Sequence, residues 1–166
     1  MLSRQVKDKK KLSEIVRFII VGSLAAAIQA GANSIYFGIG QLNMRSHSAN
    51  HFDINDLHEI AETCKAHGIK TYLTVNTIIY DEDMEAMRQI VDAAKAADIS
   101  AVIASDVAVL VYCRQVGVEV HLSTQLNITN VESLKFYAQF ADVTVLAREL
   151  NMTQVKHIYD EITNQN

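Results

Sequence analysis

Short β-branched runs alternate with longer amphipathic stretches along this chain. The strand-like runs cover 18–21, 34–38, 71–76, 101–105, 118–123 and 143–147. Between them the apolar positions recur at helical spacing near 23–30, 54–67, 82–97, 107–116, 130–140 and 151–163. Asp53 or Asn55, Asp81 and Asn130 stand where helix N-caps are wanted, since a short polar side chain can accept the free first-turn N–H groups. Gly31, Gly68 and Gly117 follow helical stretches, where a left-handed residue ends the helix.

The strands are apolar along most of their length, as expected when other elements cover both faces. Strand, helix and strand repeated without hairpin signals predict a parallel sheet with right-handed crossovers. Six βα units suit either an open doubly wound sheet or most of a (β/α)₈ barrel. Periodicity does not choose between them. The first loop lacks a GxGxxG phosphate fingerprint, which disfavours the dinucleotide-binding version.

Residues 17–166 read as one domain, preceded by a basic tail or helix over 1–16. Six basic side chains (Arg4, Lys7, Lys9, Lys10, Lys11 and Arg17) crowd into residues 1–17 against Asp8 and Glu14. The chain's net charge of −4 therefore hides a body with nine basic and seventeen acidic residues, a charge of −8. Such a body argues against broad electrostatic binding to nucleic acid by this chain. The tail followed by the apolar run 18–28 resembles a signal peptide, but acids lie in the leader and Arg17 interrupts the approach. The run is also too short to span a bilayer. No membrane association is expected. The chain contains no proline, so sharp turns fall to its six glycines and to Asn and Asp.

Cys64 and Cys113 lie in helical stretches without metal-ligand spacing and are expected as small buried residues. His47 and His51 stand four apart with no evident third ligand, His121 falls within a strand, and His58, His67 and His157 read as surface positions. No metal site is expected, and no Ser-His-Asp, Cys-His or HExxH arrangement can be picked out.

In either parallel architecture ligands gather at the C-terminal ends of the strands. There the sequence places Ser23, Gly38, Asn76, Thr77, Ser105, Asp106, Ser123, Thr124, Gln125, Arg148 and Glu149, with Arg45 in the long loop after the second strand. Each alone reads as a helix cap or loop anchor, and Asp106 as a cap of the fourth helix. Aligned at one mouth they predict a small-molecule site. From these ends Ser23, Gly38, Arg45, Asn76, Asp106, Thr124, Gln125, Arg148 and Glu149 are taken as substrate-binding candidates. Arg148 suits a bidentate clamp on a carboxylate or phosphate of a small anionic substrate; the competing reading has it bracing loops through carbonyls or Glu149.

Those strand ends also carry a resemblance. The stretches 25–32 (AAAIQAGA), 35–38 (IYFG), 43–45 (NMR), 74–77 (TVNT), 123–127 (STQLN) and 146–150 (LAREL) resemble, in order, the opening of the U32 peptidase or collagenase-like protease family. The resemblance runs from about 22 to 162. At 21–23, Val-Gly-Ser replaces the family's Pro-Ala-Gly turn. It implies a TIM-type (β/α) barrel, about six of eight βα units present here, and a cytoplasmic location. Family members are labelled peptidases, while others support hydroxylation of RNA bases, and related proteins hydroxylate ubiquinone precursors with an iron–sulfur cluster held by four cysteines. The cysteine-containing signature would begin beyond Thr163, and Cys64 and Cys113 do not correspond to it. The resemblance thus implies no cofactor held by this chain, with the cluster ligands lying C-terminal to it.

Nothing in the chain supplies a protease nucleophile, so the hydroxylation branch is preferred to the peptidase name. The first expectation is an N-terminal barrel segment, incomplete and inactive alone, forming a homo-oligomer through its open barrel edge, with RNA a partner of the full-length protein. The alternative is a standalone non-enzymatic small-molecule-binding or assembly module.

Overall fold

The computed structural model describes residues 24–43 and 52–163. Residues 24–29 are helical (α1). The remaining elements are β1 (Ser34–Gly38), α2 (Leu57–Ala66), β2 (Lys70–Val75), α3 (Met84–Ala96), β3 (Ala101–Ala104), α4 (Val107–Val116), β4 (Val120–Leu122), α5 (Val131–Tyr137), β5 (Val143–Thr144) and α6 (Met152–Thr163). Single 3₁₀ turns precede α2 and α3 and follow β4. The expected first strand at 18–21 lies outside the described residues.

All five strands run parallel, in the order β1-β2-β3-β4-β5. An unbroken chain order, with right-handed crossovers, puts every helix on one face of the sheet. Burial agrees. Phe37, Leu73, Val75, Val102, Ala104, Val120 and Leu122 alternate along the strands and are buried under the helices. Helices α2 and α3 answer with Leu57, Ile60, Ala61 and Cys64, and with Met87, Ile90, Val91 and Ala94, each set on one stripe at 3.6-residue spacing. Each fully buried aliphatic side chain here contributes roughly 1.5–3 kcal/mol of transfer free energy.

The opposite face carries Tyr36, Tyr72, Ile103, His121 and Val143, and keeps partial solvent access; Tyr36 is 55% exposed. On this same face Thr74 and Ala101 are buried, so among the described residues its coverage is partial. Among the described residues the sheet is not closed, and β1 and β5 stand at its two ends.

Local signals explain the element ends. Asp53 accepts from Asn55 N at 2.6 Å while Asp56 accepts from Asp53 N at 2.8 Å, a reciprocal cap that opens the turn before α2. Asn130 accepts from Ser133 N at 2.8 Å and caps α5. Asp81 does not cap α3: Tyr80 holds the cap position of the preceding turn, and Asp83 accepts its N–H at 3.2 Å. Three successive acids gave the sequence no way to choose the register. Gly117 ends α4 at φ 74°, a left-handed conformation that a Cβ would strain. The strand expected at 118–123 pairs only over Val120–Leu122, and that at 143–147 only over Val143–Thr144, because the backbone leaves the ladder for turns.

Candidate functional site

Strand alternation sorts the C-terminal ends. Residues two apart share a face, so Asn76 continues the Tyr72–Thr74 row, Ser105 the Ala101–Ile103 row and Ser123 the Glu119–His121 row. The three polar residues meet across the sheet. Ser105 Oγ donates to the Asn76 carbonyl at 3.0 Å, and Asn76 Nδ2 donates to Ser123 Oγ at 3.4 Å. Ser123 is buried, and its hydroxyl also accepts from Gln125 N at 3.4 Å, which starts the 3₁₀ turn of Thr124, Gln125 and Leu126. Thr124 is half-buried and Gln125 exposed beside this row. A neutral layer of amides and hydroxyls thus rims the sheet.

The other candidates behave differently. Asp106 is held within the scaffold: Oδ1 caps α4 by accepting from Ala108 N at 2.9 Å, and Oδ2 accepts from Ile79 N at 3.1 Å. Gly38 leaves space for Asn43, whose buried amide donates to the carbonyls of Ile39 and Gly40, each at 3.1 Å. Arg148 and Glu149 sit in an exposed turn past β5 rather than on a strand. Arg148 makes no hydrogen bond or ion pair with the described residues, so the loop-bracing reading finds no contact. Ser23 and Arg45 lie outside the described residues, as do His47 and His51.

Two features escaped the sequence reading. The role of Asn43 depends on a loop closing back on Gly38, which spacing does not reveal. Glu119 and His121 pair at 2.9 Å, with the imidazole 4.9 Å from the Tyr72 ring; two titratable residues at i, i+2 on a strand were the signal available. Thr77 Oγ1, just past the end of β2, is buried and has no hydrogen-bond partner among the described residues.

Both cysteines are buried in the helix–sheet core. Burial raises the Cys64 thiol and pushes Cys113 up to about 12. Among the described residues no three His, Cys, Asp or Glu side chains cluster as metal ligands. No helix among them is long and apolar enough to cross a membrane. A separate cavity of about 360 Å³ opens on the helical side between the loop after β1 and α3, lined by Ile39, Leu42, Ile54, Ala86 and Ile90.

A parallel sheet with polar side chains gathered at its strand ends defines an α/β protein of the class that places ligands there. Residues 21–165 match Peptidase family U32. The chain belongs to that family. It is 62% identical over 144 residues to a collagenase of Porphyromonas gingivalis, covering 87% of this chain and 35% of that protein. It is 31% identical over 135 residues to the Escherichia coli 23S rRNA 5-hydroxycytidine C2501 synthase, covering 80% of this chain and 20% of that protein. The chain thus spans about a third or less of the length of these relatives. A solved U32 peptidase structure matches with a TM-score of 0.62 at 14% identity, over 77% of this chain and 56% of that one, which speaks to the fold.

Proposed function

We propose that this chain is the N-terminal segment of a (β/α) barrel protein acting in hydroxylation of RNA bases, that its strand ends form part of the substrate pocket, and that it is inactive alone. The observation that carries this reading is the neutral row Asn76–Ser105–Ser123 with Thr124 and Gln125 beside it. Amide and hydroxyl groups match the donors and acceptors on a base edge. A related protein named for hydroxycytidine synthesis in rRNA makes that substrate class relevant. Strands in unbroken order support a barrel over a doubly wound sheet, whose order reverses at a switch point.

Peptide hydrolysis by a cysteine needs an activated thiolate, and both thiols here are buried and shifted away from ionisation. Those cysteines, packed into the core from α2 and α4, do not fit a four-cysteine cluster set. In this reading the iron–sulfur ligands lie in a segment C-terminal to this chain. Contact with the RNA phosphate backbone, given the −8 body, belongs in this reading to the full-length protein, working in the cytoplasm and off the membrane. The exposed, uncommitted Arg148 favours a second reading, a binding module for a small anion.

Two assays test the proposal. RNA from source cells lacking the gene is expected to lose an oxygenated pyrimidine nucleoside in mass spectrometry; an unchanged nucleoside profile overturns hydroxylation. Incubated with denatured collagen, the purified chain is expected to leave it intact, and reproducible cleavage would restore the peptidase name.

A further inference from the structure

One layer below the polar row, the open face of the sheet holds the Glu119–His121 pair, which the proposed function leaves unused. Their i, i+2 spacing sends both side chains off the same face. His121 Nε2 lies 2.9 Å from a Glu119 carboxylate oxygen. An ionised carboxylate only accepts, so Nε2 carries the proton and donates. In the neutral ring Nδ1 is then a lone-pair acceptor, and it makes no hydrogen bond with the described residues.

The ring is also held in place. Tyr72 meets it at 4.9 Å between centroids and 47° between planes. That contact crosses β3, where Ala101, beside Tyr72 in register, has too little bulk to separate the rings. Ile103 and Val143 flank His121 on the neighbouring strands. The imidazole side chain is 13% exposed and the carboxylate 52%, so the ring is set into the sheet while its partner meets solvent. Ser123 of the polar row stands two residues further along the same face.

We propose that His121, oriented by Glu119, is a ligand-positioning residue whose Nδ1 accepts a hydrogen bond from the N–H of a neutral planar ring seated beside Tyr72. The inference rests on the reading that the strand ends take a base, and it names the atom that orients that base. Aromatic and apolar neighbours (Tyr72, Ile103, Val143) and neutral polar ones (Asn76, Ser123) suit an uncharged ring.

The test uses the ¹⁵N-labelled 166-residue chain with cytidine and with N4,N4-dimethylcytidine, which lacks the exocyclic N–H. Spectra of the free chain are expected to show the proton on His121 Nε2. Cytidine is expected to move the Nδ1 resonance together with the Asn76, Ser123 and Gln125 amides, and the dimethyl analogue to bind about tenfold more weakly. Glu119→Ala, at a largely exposed position, is expected to erase that preference while the strand-end amides still respond; His121→Phe should do the same. A proton on Nδ1, or equal affinity for both nucleosides with the strand-end amides shifting, overturns this inference and leaves the base-binding reading standing. No response to either nucleoside at any of these positions overturns both.

Discussion

The amide of Asn43 occupies the space that a side chain at Gly38 would need: a Cβ there would collide with Asn43 Cγ. Asn43 thereby reaches the carbonyls of Ile39 and Gly40 and pins the loop leaving β1. Gly38 has no left-handed φ, so the requirement for glycine is one of space. Gly38→Ala is expected to cost about 1–3 kcal/mol through overpacking. Urea denaturation measures this, and Gly38→Ala with Asn43→Gly should recover part of the steric loss while leaving the two carbonyls without their donor.

Asp106 joins the loop after β2 to the start of α4 through its two oxygens. Replacing it with Ala removes both bonds and is expected to cost about 1–3 kcal/mol, the loss of a helix cap plus an N–H of Ile79 left without its acceptor. Asp106→Asn retains one acceptor and should lose less. A thermal melt in which Asp106→Ala matches wild type would show that neither bond matters to stability.

Arg148 stands exposed, without a partner among the described residues. Arg148→Ala is therefore expected to change stability by no more than about 0.5 kcal/mol. If the residue clamps an anion, the same change should weaken inorganic phosphate binding measured by calorimetry. Equal phosphate affinity in both proteins removes Arg148 from the candidate site.

Burial pushes the Cys113 thiol from an ordinary value of 9.0 up to about 12. The folded state thus holds this proton more tightly than the unfolded state. Its contribution to stability is fully present below about pH 9 and is lost as pH rises from 9 towards 12. Cys113→Ala is expected to flatten that part of the alkaline stability profile in denaturant titrations at successive pH values. In the native wild type, iodoacetamide should modify Cys113 only as fast as the chain opens.

The exposed edge residues of the open sheet bear on assembly. Val143 on β5 is exposed, and among the described residues β1 stands at the other end of the sheet. Unpaired strand edges invite pairing with another chain. We expect concentration-dependent association in sedimentation velocity, reduced by Val143→Lys. A strictly monomeric, stable chain at high concentration would defeat this expectation.

By itself, the sequence determined the alternation of strands and helices, because burial on one face imposes a period of two or 3.6 on the apolar positions. It marked β1 and α4 to the residue, Asp53 or Asn55 as the cap before α2, Asn130 as the cap of α5, the left-handed Gly117 and the buried cysteines. It also brought Asn76, Ser105, Ser123 and Gln125 to the strand ends, since a parallel sheet orients every strand alike. Only the tertiary structure decided that Asp106 serves the scaffold, that Gly38 yields space to Asn43, that β5 is two residues long and that Glu119 and His121 form a pair beside Tyr72. Those outcomes depend on distances between residues remote in sequence, or on where a loop turns back. A hydrogen bond or a steric contact is settled within a few tenths of an ångström, and a linear pattern of polar and apolar positions carries no such distance.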